Sequence, residues 1–216
     1  MKHTALEFVK KNKNVILSTV IVNFLGFSLY FISGLIVNHF QLYKTNILIQ
    51  FDNYIPRINT FVIFYFSWYF FVFIAPIFIG IRDKILFRSF ILIKIIELLI
   101  FFLVFVIYPT YVARDVLPNH NIFDVILNFI YSVDIGNAFP SEHCFSSWNI
   151  YLLYKNSKNV SLKSKMLVFI ISFLICCSTV FTKQHGIIDV FAAIFLCEIM
   201  WLIIKKMYQT GINKKL

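Results

Sequence analysis

The sequence predicts an all-α integral membrane protein, a bundle of six transmembrane helices, and three observations lead there. Of 216 residues, 60% are hydrophobic and only 14% charged, well beyond the roughly half-apolar average of soluble domains. Long uncharged runs approach or reach the ~20 residues that carry a helix across a hydrocarbon core. The connecting segments alternate between rich and poor in basic residues, as loops on opposite sides of a membrane do.

Taken in order, the expected spans are residues 14–37, 58–81, 89–109, 141–154, 164–181 and 186–204, within a single domain over 1–216. A basic stretch precedes the first run as in a signal peptide, but the run is too long and no small-residue cleavage site follows, so it reads as a retained helix. The third run is interrupted by Lys94 and Glu97, whose spacing allows them to pair within their own helix. The fourth segment is short and carries Ser146, Ser147 and Asn149, so composition supports it least. The last two runs are parted by Thr182-Lys183-Gln184-His185, the natural turn of a helical hairpin. Cys176 and Cys177 are adjacent and Cys197 stands alone, with neither disulfide nor zinc spacing.

The net charge of +10 would suit a nucleic acid if the cations were gathered on one surface. Their placement points to a membrane instead. Fifteen of the 20 fall before span one (Lys2, Lys10, Lys11, Lys13), between spans two and three (Arg82, Lys84, Arg88), between four and five (Lys155, Lys158, Lys163, Lys165), or after six (Lys205, Lys206, Lys214, Lys215). The other connections hold only Lys44, Arg57, Arg114 and Lys183, and Lys94 lies inside span three. The positive-inside rule then puts both termini in the cytoplasm of a bacterial-type plasma membrane, with residues 38–57, 109–141 and 182–186 facing outward. A five-span chain would break this alternation, so the charges support the fourth span.

Every residue suited to chemistry falls on the sparsely basic side. In Phe139-Pro140-Ser141-Glu142-His143, Pro140 ends the loop and Ser141 is placed to cap helix four. Free N–H groups at such a start attract anions, although an ordinary cap with an interfacial histidine has the same sequence. In Ser178 through Asp189, His185 and Asp189 stand at i and i+4, so the carboxylate can hold one imidazole nitrogen and free the other to attack. A buried pair that only ties the hairpin would look alike. Arg114 leaves span three; its planar fork suits phosphate, or a lipid headgroup.

Together these three elements resemble the type 2 phosphatidic acid phosphatase superfamily. Pro140-Ser141-Glu142-His143 is similar to its Pro-Ser-Gly-His element, and Ser178 to Asp189 reproduces its Ser-Arg-x5-His-x3-Asp spacing. The resemblance implies a site at the outer membrane–water interface that needs no metal or other cofactor. It implies that His185 attacks phosphorus, Asp189 orients it and His143 protonates the leaving oxygen, while Arg114, Ser141, the Glu142 N–H, Ser178 and Lys183 bind phosphate. The sequence departs from the pattern at Ile107 for lysine, Asp115 for proline, Glu142 for glycine and Thr179 for arginine. Lys183 could restore the lost charge, a pattern similar to the inositol phosphorylceramide synthase-like branch, and Asp115 is expected to point away.

The implied activity is hydrolysis of a lipid phosphate such as undecaprenyl diphosphate, phosphatidate or phosphatidylglycerol phosphate, through a phosphohistidine. The alternatives are a headgroup phosphotransferase, a chain of this family without activity, a zinc site built from His143, Cys144, His185 and Asp189, or a non-enzymatic transporter or assembly protein with Lys94, Glu97 and Glu198 along a pathway.

Overall fold

The protein is described by a computed structural model that covers residues 5–209 apart from Ile135; Lys2, Lys214 and Lys215 of the charge pattern lie outside the described residues. The described chain is helical: α1 (Ala5–Lys11), α2 (Lys13–His39), α3 (Val62–Arg82), α4 (Lys84–Ile107), α5 (Ile122–Val133), α6 (Glu142–Asn156), α7 (Leu162–Phe181) and α8 (Ile187–Gln209). Five of these, α2, α3, α4, α7 and α8, are long and apolar enough to cross a membrane.

The boundaries follow from local chemistry. Asp83 ends α3 and begins α4, its Oδ1 accepting from the Leu86 N–H at 3.1 Å. For that reason α4 starts five residues before the expected 89. Ser161 caps α7 through the Ser164 N–H at 3.2 Å, and Asn121 caps α5 through Phe123 and Asp124 at 2.9 and 3.1 Å. The start of α8 is capped from a distance: the Asp52 carboxylate accepts from the Ile187 N–H at 2.8 Å. Such side-chain acceptors satisfy amides that have no carbonyl within their own helix.

Hydrogen bonds join the connections into two ends. At one, Thr45–Asn46 and Thr110–Tyr111 pair as short parallel strands, and the Ile58 N–H donates to the Phe181 carbonyl at 2.9 Å. At the other, Ser157 donates to Asp83 at 3.3 Å and Asn159 to the Arg82 carbonyl at 3.4 Å. The helices therefore alternate in direction, and among the described cations the rich and poor groups fall at opposite ends.

The core runs through α6, which packs against α3, α4, α7 and α8. Phe145, Ile150, Leu152 and Leu153 are buried there with Trp201, Ile79 and Ile93. The outward faces are apolar too: Phe24, Phe31, Phe70, Phe78, Leu99, Phe191 and Phe195 are exposed. A surface this apolar belongs against lipid or another apolar partner.

Candidate active site

The site is built where α6 and α8 begin side by side. Ser141 Oγ accepts from the Cys144 N–H at 3.4 Å, and the Ser141 N–H donates to the Asp189 carbonyl at 3.4 Å. That second bond docks the start of α6 on the first turn of α8. In the turn before α8, the Thr179 carbonyl accepts from the amides of Gln184 and His185 at 2.9 and 3.0 Å. The chain reverses tightly enough to bring the rings of His143 and His185 to 5.9 Å between centroids.

His185 Nδ1 lies 3.3 Å from Asp189 Oδ2, which also accepts from the Gly186 N–H at 2.9 Å. The carboxylate is fully buried, so it orients the imidazole through Nδ1 and leaves Nε2 free for another partner. Burial disfavours the imidazolium, but the hydrogen bond and charge of Asp189 outweigh it and raise His185 above its ordinary pKa. His143 is held between the rings of Tyr65 and Trp68, at 4.4 and 4.1 Å.

The two histidines share a cavity of about 150 Å³ whose polar wall also includes Gln184, Asn137, Asp134 and Glu142, and whose apolar wall includes Phe27, Tyr69 and Phe105. Four polar atoms of its lining residues, His143 Nε2, Gln184 Nε2, Trp68 Nε1 and Asn137 Oδ1, are buried without a hydrogen-bond partner among the described residues. Buried polar atoms are rarely left so. Four among the residues that line one cavity mark it as a place for a polar ligand. The start of α6 adds to this, because Cys144 and Phe145 turn their amides to Ser141 while those of Glu142 and His143 have no acceptor among the described residues.

Arg114 stands behind this wall. One nitrogen donates to Gln184 Oε1 at 2.7 Å and another pairs with Asp134, while the guanidinium carbon lies 4.7 Å from the centre of the Tyr131 ring. Burial pushes the Asp134 carboxyl up, but Arg114, the Gly136 N–H and the Tyr30 hydroxyl hold it below the usual carboxylate range. Arg114 thus reaches the cavity through two partners that line it.

Two expected phosphate ligands, Lys183 and Ser178, are placed elsewhere. Lys183 takes a left-handed φ of 54°, and its ammonium donates to the carbonyls of Asp52 and Ile55 at 2.9 and 2.7 Å. Burial lowers its pKa there, Asp52 opposing. It does not line the cavity. Ser178 is fully buried and donates to the Ile175 carbonyl at 2.6 Å. The Glu142 side chain turns inward to Lys94 at 3.2 Å, and its amide, the expected ligand, remains for an anion.

The departures from the family pattern are equally local. Thr179 is fully buried and bonds the Cys176 carbonyl at 2.8 Å, with the Cys144 thiol at 3.5 Å. Ile107 is exposed on the outside of α4, and Asp115 is exposed and away from the cavity wall. Of the intramembrane charges, Lys94 pairs with Glu97 at 2.8 Å and donates to Ser146 at 2.7 Å, and Glu198 accepts from Trp148 at 2.9 Å.

Sequence reasoning did not nominate Asp134, Asp52 or the aromatic bracket of His143. Asp134-Ile135-Gly136 carries a signal, because an Asp whose carboxylate accepts from the amide two residues on forms an Asx turn, and here Asp134 Oδ1 accepts from Gly136 at 2.9 Å. Tyr65 and Trp68 carry none; in an apolar run they look like any membrane aromatics. No protein-family model, curated protein or solved structure matches the chain.

Proposed function

We propose that this protein is a membrane phosphatase acting on a lipid phosphate, related to the type 2 phosphatidic acid phosphatases, with His185 as nucleophile. One observation carries the reading: a histidine oriented by a buried carboxylate faces a second histidine across a cavity whose wall holds unpaired polar atoms. A rearranged phosphate shell accompanies it. Arg114 acts through Gln184 and Asp134, and the amides of Glu142 and His143 supply the donors that the family takes from more cations.

In the first step His185 Nε2 forms a bond to phosphorus as the bond from phosphorus to the leaving oxygen breaks, and protonated His143 gives that oxygen its proton. In the second, water attacks phosphorus, gives a proton to His143 and releases Nε2 with its electron pair. The amides at the start of α6 and the Gln184 side chain are placed to stabilise charge on the phosphoryl oxygens. The aromatic and aliphatic wall suits the apolar part of a lipid. In this reading α6 is a sixth span, both termini are cytoplasmic and the site faces outward.

The test is release of phosphate by the purified protein from undecaprenyl diphosphate, phosphatidate and phosphatidylglycerol phosphate, with acid-quenched trapping of labelled phosphate on the chain. His185→Ala is expected to lose both turnover and label, turnover by ~10³-fold or more as for loss of other nucleophiles. Undiminished turnover in that variant, or no release from any of the three lipids, refutes the proposal.

A further inference from the structure

At the end of the bundle away from the two histidines lies a second hollow, of about 440 Å³. Its position follows from α2, which contributes Tyr30 to the first cavity and Asn14 to the second, sixteen residues or about 24 Å apart along a helix. Five cations line it: Lys10, Lys11 and Lys13 where α1 meets α2, and Lys84 and Arg88 at the start of α4. No carboxylate lines it, and none of the five forms an ion pair among the described residues.

The convergence is built by packing. Buried Asn12 donates through backbone and side chain to the Phe8 carbonyl, at 3.1 and 3.0 Å, and is the single residue that joins α1 to α2. Val15 and Phe87 form the floor, where Gly80 lets α2, α3 and α4 meet so closely that an added Cβ would lie 2.5 Å from Val15 and 2.8 Å from Phe87. Basic residues that only set orientation need to be on one side; they need not enclose a hollow. Five like charges drawn together repel one another unless an anion sits among them.

The neighbours say which anion. Phe8, Val9, Leu17 and Ile85 are exposed around this charge, so an apolar fringe adjoins the cationic hollow. A free phosphate uses only the charge, whereas a phospholipid uses both. We propose that the hollow binds the headgroup of an anionic phospholipid, its acyl chains lying along Leu17 and Ile85. Basic pockets between helices at the cytoplasmic surface serve such headgroups in general.

Native mass spectrometry of the full-length protein in detergent, with equal phosphatidylglycerol and phosphatidylcholine, tests this. Wild type is expected to retain phosphatidylglycerol at least ~10-fold better, and Lys11→Gln, Lys84→Gln and Arg88→Gln each to lower retention about fivefold, the equivalent of ~1 kcal/mol per cation. Lys163→Gln, at the same end but outside the hollow, should retain it as wild type does. Equal retention of the two lipids by wild type, which needs no variant to fold, overturns the proposal. So does a loss in Lys163→Gln equal to that in Arg88→Gln. Displacement of the lipid by millimolar inorganic phosphate would show an anion site without lipid selectivity, and would overturn it as well.

Discussion

In the proposed reaction the two histidines are set for different work by their surroundings. Asp189 raises His185 above an ordinary histidine, and Nε2 attacks only when unprotonated. Turnover should therefore fall as pH drops through a midpoint above ~6.5, the unperturbed value. Asp189→Asn removes the charge that raises His185 and leaves burial, which lowers it. The midpoint should then move down while the rate falls, by up to ~10⁴-fold if misorientation acts as in a triad. A kcat/KM profile against pH checks both; an unmoved midpoint with full activity would remove Asp189 from the mechanism. Lys94 raises a separate question, being 2% exposed with Glu97 and Glu142 both on its ammonium. Lys94→Met leaves two carboxylates without a cation and should destabilise the protein by ~3–5 kcal/mol, read from unfolding in mixed detergent. Lys94→Met with Glu97→Gln should recover part of that loss. Which residues would matter was only partly legible. The i, i+4 spacing announces His185 and Asp189, because helix geometry alone makes them neighbours. Nothing local announces that Glu142 would swing to a lysine 48 positions earlier, or that Lys183 would spend its donors on loop carbonyls.

At the scale of elements, hydropathy is enough to find α2, α3, α4, α7 and α8, since lipid-facing helices are apolar on every side. It found α6 poorly for a physical reason: α6 is enclosed by protein, so it keeps Ser146, Ser147 and Asn149 buried. Ser146 accepts from Lys94 at 2.7 Å and Asn149 from the Trp201 indole at 2.8 Å; the Ser147 hydroxyl has no partner among the described residues, though its carbonyl accepts from Ser172 at 2.8 Å. The outer helix α5 escaped notice because its twelve residues are too few to span and lie in a region read only as loop. Another pairing was invisible in sequence. Pro76, inside α3, has no N–H for the Val72 carbonyl. Asn23 of α2 supplies the missing donor at 3.1 Å. Asn23→Leu should thus cost ~1–3 kcal/mol by stranding a buried carbonyl. In a Pro76→Ala background, where the introduced alanine regains an amide that can donate within the helix, the same change should cost distinctly less. Equal costs in the two backgrounds of a double-mutant cycle would mean that Asn23 acts only through packing.

For the whole molecule, the number of crossings turns on one helix. Five are long enough by themselves; α6 has 15 residues, or about 22 Å at 1.5 Å per residue, against a core of ~30 Å. A helix surrounded by others does not meet that core directly, so it can be short and polar where its neighbours cannot. Its start is then recessed among them. The ends of the bundle carry the consequence. If α6 crosses, Val116 before it and Asn159 after it lie on opposite faces of the membrane; if it does not, they share one. Both are exposed, so single cysteines in a variant freed of Cys144, Cys176, Cys177 and Cys197 can be tested in intact cells with a membrane-impermeant maleimide. Val116→Cys should react from outside, and Asn159→Cys only after lysis. Reaction of both in intact cells would reduce the bundle to five crossings. The reverse pattern would turn the His185 cavity to the cytoplasm and restrict its substrates to lipids of the inner leaflet.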